Sequence, residues 1–242
     1  MTSARRRAGW LLYAALQFIV LTACAMATYT GGTWFDPATT RYELTGNFLS
    51  DLGTTHAFSG HTNYVSSVLF LIALSTIGAA IIGFAWAWRG FAFGLGRARV
   101  AGIASQVLGT ASGLAFIGIA VTPWDLALAA HNRFVVAAFS LLLGYVVCLT
   151  IAMWRNGIAR VRVAVNLAYL ALVLGYVAII LFGPRLDTPS GHLVQVTAQK
   201  LVAYGSMLHI IYLTITTRRA LSELSAGTPR GDETGPTIRP VK

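Results

Sequence analysis

Only 8 of the 242 residues are acidic, 2 are cysteine, and charged residues of both signs make up 11% of the chain. Soluble domains carry about 25% charged residues, so an ordinary water-soluble fold is excluded. Cys24 and Cys148 both lie inside apolar runs. Two such thiols cannot build the framework of a disulfide-stapled secreted domain. CxxC pairs, zinc ribbons and HExxH are missing too, so no spacing has a metal geometry built into it. The formal net charge is +10, but nucleic-acid binding needs a basic patch with aromatic or groove-reading motifs beside it. Here the basic residues fall between apolar segments, and no nucleic-acid partner is expected.

What is present is hydrophobic: 56% of the chain, with a mean hydropathy of +0.66. A hydrocarbon core about 30 Å thick needs about 20 apolar residues in a helix. Six stretches qualify, approximately Trp10 to Tyr29, Tyr64 to Trp88, Val100 to Val121, Phe134 to Trp154, Val163 to Phe182 and Leu201 to Thr217. Several are bounded by Trp or Tyr, as suits amphipathic rings at headgroup level. Backbone amides find no partner in hydrocarbon, and the alternation of a barrel strand is missing. The sequence therefore predicts an all-α polytopic membrane bundle of six transmembrane helices over residues 10–217. A basic segment, 1–9, precedes it, and a disordered tail, 218–242, follows.

Short cytoplasmic loops carry the excess of Lys and Arg. Of the 18 basic residues, 14 fall in the N-terminal segment, the loops after the second and fourth stretches, and the tail, leaving Arg41, Arg133, Arg185 and Lys200 on the other side. Both termini are thus expected in the cytoplasm of a plasma (inner) membrane. Asp36, Glu43, Asp51, Asp125 and Asp187 then lie outside, with His56, His61, His131 and His192. Any site is expected to open outward, although long outer loops hold more polar residues of every kind. Leu21-Thr22-Ala23-Cys24 after Arg5 to Arg7 also reads like a lipoprotein signal. The apolar run continues past Cys24 to Tyr29, which favours an intact spanning helix.

The outer loop Thr30 to Asn63 contains Thr45-Gly46-Asn47-Phe48-Leu49-Ser50-Asp51-Leu52-Gly53. Phe48, Leu49 and Leu52 make it too apolar for a free linker, so a short helix or turn on the bundle mouth is expected. Ser50 or Asp51 serves either as a cap for backbone NH groups, with Gly53 at positive φ, or as a site residue. Asp125 and His131 stand six apart, about 120° away from each other on a regular helix. A shared proton or divalent metal requires a break between them; otherwise Asp125 caps the segment and His131 alone faces the cavity.

His56 and His61, five apart, have the same difficulty. Pro189-Ser190-Gly191-His192 matches the central motif of the phosphatidic-acid phosphatase type 2 family, but no lysine precedes Lys200 to open that family's first motif. The third motif is missing as well. His209 lies near the middle of the last span, where an ionisable residue is a functional candidate by default. A bis-histidine haem is not expected, because no second histidine is as deep. Gly102, Ser105, Gln106, Gly109 and Gly113, three or four apart, predict close helix packing. Gln17, Gln106 and Asn166 could form a polar network in the bundle or lone interhelical bonds.

Asn47-Phe48-Leu49-Ser50-Asp51-Leu52-Gly53 after the first span, Pro123-Trp124-Asp125 then His131 before the fourth, and Gln199-Lys200 opening the last resemble bacterial membrane proteins of domain-of-unknown-function family 998. That family is distantly similar to the DRAM/Frag-like six-helix proteins. The resemblance spans about Trp10 to Thr217 and implies the six-helix fold without implying a reaction. Two main functions are open, with a phosphatidic-acid phosphatase-like hydrolase built on Pro189-Ser190-Gly191-His192 as a minor third. In one, Asp51, Asp125 and His131 form an outward-facing pocket that acts catalytically on lipid headgroups or lipid-linked substrates, with Asn47, Ser50, His192 and Lys200 binding substrate. In the other, the same residues lock the outer loops onto a non-catalytic lipid-binding, transport or assembly protein. Membrane lipids are the expected partners in both.

Overall fold

The computed structural model describes residues 2–87, 99–155 and 157–226. Six α-helices account for most of them: α1 (Thr2–Thr28), α2 (Tyr64–Ala87), α3 (Arg99–Val121), α4 (Trp124–Arg155), α5 (Arg160–Phe182) and α6 (Pro189–Ala226). A 3-10 turn at Leu49–Gly53 lies between α1 and α2. Among the described residues there is no β-strand, only an isolated bridge between His56 and Thr62. Five helices, α1 to α5, are long and apolar enough to cross a membrane. The sixth expected span lies within α6, where the uncharged run between Lys200 and Arg218, Leu201 to Thr217, falls short of the about 20 residues a bilayer requires.

Three boundaries differ from expectation. Pro189 opens α6, so Pro189-Ser190-Gly191-His192 is a first helical turn and not a loop; proline suits that position because its missing N–H has no intrahelical acceptor there. The helix also runs on to Ala226, past the expected start of disorder, while residues 227–242 of the tail lie outside the described residues. Finally, α4 begins at Trp124 instead of Phe134 and breaks at Ala127 (φ −143°, ψ 52°). Arg89 and Arg97, used in the charge partition, also lie outside the described residues.

Each helix packs on its neighbour in sequence, and α6 closes on α1, so the six form a ring. Close approach between α2 and α3 depends on Gly78 and Gly113, where an added Cβ on either would sit 2.5 to 2.6 Å from the other's carbonyl oxygen. Gly109 meets Ala85 and Tyr145 in the same way. The buried face of α3 includes Gly102, Ser105, Gln106, Gly109 and Gly113, the small-residue packing face its spacing predicts. Large apolar side chains also cover the outside of the ring, among them Val100, Leu114, Leu174 and Phe182, as a hydrocarbon solvent allows.

Candidate functional site: a lidded cavity in the helical ring

Helices are about 10 Å thick, and a ring of six leaves room at its centre for side chains and a remaining space. That space is a partly open cavity lined from all six helices. Phe18, Phe70, Ile77, Phe139 and Leu213 are typical of its walls. Among the described residues, no Asp, Glu, Lys or Arg lines it. Its few polar groups fall in two places: Ser50 and Gln199 at the end covered by the loop, and Tyr145, Tyr169, Ser206 and His209 further in.

Residues 30–63 form a lid over one end of the ring, with the 3-10 turn packing on α1, α2, α4 and α6. Leu49 and Ser50 reach down to line the cavity, while Leu49 and Leu52 are buried. Glycine at 53 is required by contact and not by positive φ: an added Cβ would lie 2.6 Å from the Phe70 ring, and the positive-φ glycines of the lid are Gly31, Gly32 and Gly60.

Most residues singled out in the sequence fasten this lid. Asp51, 2% exposed, accepts from Phe48 N–H (2.8 Å), Asn47 Nδ2 (3.2 Å) and, across to α4, Trp124 Nε1 (3.1 Å). Burial pushes its carboxyl up to about 6, although these three bonds and the positive charge of Lys200 pull the other way. Asn47 is fully buried; its Nδ2 donates to Gly32 O (2.9 Å), and its Oδ1 accepts from Glu43 N–H (2.9 Å). From α6, Lys200 Nζ donates to the Asn47 carbonyl and lies 5.4 Å from the centre of the Tyr42 ring. Beside it, Gln199 Oε1 accepts from Leu49 N–H (2.7 Å). His192, at the start of the same helix, donates from Nε2 to Gly46 O (2.8 Å) between the rings of Phe35 and Phe48. Burial also raises the Tyr42 hydroxyl, which donates to the Asn47 carbonyl (3.1 Å).

The second carboxylate fastens the far side of the lid. Asp125 Oδ2 accepts from Thr55 Oγ1 (2.6 Å), Thr55 N–H (2.9 Å) and His56 N–H (3.1 Å), while its Oδ1 is buried without a partner. The break at Ala127 does separate Asp125 from His131, yet the two do not meet: His131 Nδ1 bonds the Thr122 carbonyl at 2.7 Å. Asp51, Asp125, His131, Asn47, His192 and Lys200 thus gather at one end of the bundle without lining the cavity; of the seven, Ser50 lines it. No group of three His, Cys, Asp or Glu side chains among the described residues is placed to hold a metal ion.

Deeper in the ring is a polar chain that fixes its own polarity. Thr150 Oγ1 donates to Val146 O (2.7 Å), so it must accept from Asn166 Nδ2 (2.6 Å). The Asn166 oxygen therefore faces His209 Nε2 (3.0 Å) and accepts its proton. In the uncharged ring this leaves Nδ1 as an acceptor. Tyr169 stacks on His209, ring centres 4.0 Å apart, and shares a bond of 2.9 Å with Ser206 Oγ. Asn166 thus joins a network across α4, α5 and α6, whereas both amide atoms of Gln17 are buried with no partner among the described residues. Replacing Asn166 by alanine is expected to cost about 1–2 kcal/mol in a detergent unfolding titration, because it strands both neighbours; Thr150→Val, which strands one, is expected to cost about half as much.

Sequence reasoning missed Tyr145, Tyr169, Tyr42 and Thr55. A tyrosine inside an apolar run reads as packing or as an interfacial ring, and Thr55 carries no pattern. Only the mid-span position of Tyr145 could have marked it. Comparison with protein-family models, with curated proteins and with solved structures finds no match to this chain, so its function is read from the lidded cavity itself.

Proposed function

We propose that the protein is a non-catalytic lipid-binding membrane protein of the six-helix type resembled by domain-of-unknown-function family 998. It holds a hydrocarbon chain inside the helical ring beneath the lid. The observation that carries this reading is the uncharged cavity, bounded by all six helices and floored at one end by Leu49 and Ser50. An apolar, partly open space lined from every helix of a membrane-embedded ring is a natural place for a lipid chain, since close-packed interiors keep few voids. The arginine distribution supports placing both termini in the cytoplasm of the plasma membrane, with α6 as a sixth span and the lid outside. In that setting Asn47, Asp51, Asp125, His192 and Lys200 position the lid, while His131 ties the start of α4 to the Thr122 carbonyl.

A second reading has Asp51, Asp125 and His131 acting on lipid headgroups. It is favoured by one observation, the Asp51 carboxyl pushed up to about 6, near the pH where general acid–base groups work. The hydrogen bonds of both carboxylates to lid backbone favour the first reading.

The discriminating variant fills the cavity. Ala203→Trp, on the α6 wall, is expected to lower lipid co-purified with the protein about tenfold, a loss of about 1.4 kcal/mol. Unfolding temperature should change little. Native mass spectrometry from nanodiscs reads the bound lipid; unchanged lipid occupancy in a folded Ala203→Trp protein would reject the cavity as its site.

A further inference from the structure

The deep polar groups of the cavity are mismatched with a purely hydrocarbon occupant. Tyr145 is 6% exposed, lines the cavity, and its hydroxyl has no hydrogen-bond partner among the described residues. A buried hydroxyl without a partner is costly, and natural structures rarely leave one so. Tyr145 lines the same cavity as Tyr169, whose ring stacks on His209. His209, another lining residue, has its Nε2 proton committed to Asn166, and Nδ1 is left as an acceptor. The cavity therefore offers a donor from α4 and an acceptor from α6 among otherwise largely apolar walls.

Charge narrows the choice further. No ionic side chain among the described residues lines the space, so a carboxylate or phosphate drawn into it would be an uncompensated ion in a medium of low dielectric. A hydroxyl meets both demands: it accepts from Tyr145, donates to His209 Nδ1, and carries no charge.

We propose that the cavity selects a long-chain alcohol, bound with its hydroxyl at Tyr145 and His209 and its chain along the ring axis. This rests on the lipid-binding reading above and names its ligand class. The bond from Tyr145 sets affinity, and the bond to His209 distinguishes an alcohol from its ethers.

Full-length protein in nanodiscs, titrated with hexadecanol, hexadecane, palmitate and hexadecyl methyl ether and read by native mass spectrometry, tests the proposal. Hexadecanol is expected to bind at least about tenfold more tightly than hexadecane or palmitate, the ratio two neutral hydrogen bonds support. The ether, which accepts but cannot donate, should fall between. Tyr145→Phe, which leaves only the bond to His209, is expected to bring hexadecanol down to about the level of the ether. The ligand series needs no variant, so misfolding of Tyr145→Phe would not remove the test. Equal binding of hexadecanol and hexadecane by the wild type overturns the alcohol proposal and leaves the apolar cavity as a lipid site. Palmitate binding most tightly overturns it as well, since an anion would then be accommodated. Binding of none of the four by folded protein overturns both this inference and the reading beneath it.

Discussion

Asp51→Ala is expected to loosen the lid and to lower the unfolding free energy by roughly 3–5 kcal/mol, the largest effect of any single side-chain truncation in the lid. Alanine removes the one acceptor shared by Phe48 N–H, Asn47 Nδ2 and Trp124 Nε1, and at 2% exposure water cannot replace it without opening the structure. Asn47 is also the hub onto which Lys200, Tyr42 and Glu43 bond, so its displacement releases α6 from the lid. Asp51→Asn should cost less than half as much, because its oxygen still accepts while its amide faces donors. Hydrogen exchange over residues 30–63 reads the opening directly: protection there should collapse in Asp51→Ala while the α4–α5–α6 core stays protected. Loss confined to the helices, with the lid unaffected, would contradict the assignment of Asp51 as the lid's fastening.

The same carboxyl gives the protein a pH dependence of definite sign. Burial raises its folded pKa from 3.8 to about 6, so between those values the folded state binds the extra proton. Stability from this group is then fully present below about pH 4, is lost as pH rises toward 6, and is flat above that. The amplitude is about 3 kcal/mol. Asp51→Asn has no such group, and the difference between wild type and variant across this range isolates it from the other acids. A wild-type curve that rises relative to Asp51→Asn over the same interval would show that the three donors outweigh burial.

How far these features could be read from the sequence depends on the range of the interactions involved. Apolar spans are a local property, and five of them reappear as helices long enough to cross. The apolar and small-residue character of α3 was legible for the same reason. The start of α6 was not, because proline followed by Ser-Gly reads as a turn unless the helix beyond it is known. Likewise α4 takes in Trp124 to Arg133 through a break at Ala127 that no residue type announces. Asp51, Asp125, Asn47 and Lys200 stood out as polar groups gathered at one end, but their partners are backbone groups as distant as Leu49 from Gln199 or Thr55 from Asp125. Such bonds leave no spacing pattern. The cavity was invisible for a different reason: a helix in this ring is apolar toward lipid and apolar toward the centre, so its two faces look alike in sequence. His209 was marked by depth, yet the chain through Asn166 and Thr150 that fixes its proton exists only once three helices have packed.

Ring closure itself is open to test at the α2–α3 seam, where Gly113→Val is expected to destabilise the protein by about 3 kcal/mol or more and lower its unfolding temperature by about 10 °C. Even the first carbon of the new side chain would lie 2.5 Å from Gly78 O and 2.6 Å from Ile82 Cγ1. The backbone oxygen cannot rotate away, so the helices must separate. Separation there pulls Gly109 off Ala85 and breaks the contact of Trp86 Nε1 with Thr110 Oγ1 (3.1 Å). By contrast, Gly83 and Gly175 have nothing within 4 Å of an added Cβ. Alanine at either is expected to be neutral or stabilising by up to about 1 kcal/mol, since it removes only the flexibility of glycine in a helix. A thermal unfolding series of Gly113→Val, Gly113→Ala, Gly83→Ala and Gly175→Ala separates the two classes. If Gly113→Val unfolds with Gly83→Ala, the α2–α3 seam is wider than drawn, and a ring with a wider seam would not enclose the cavity on that side.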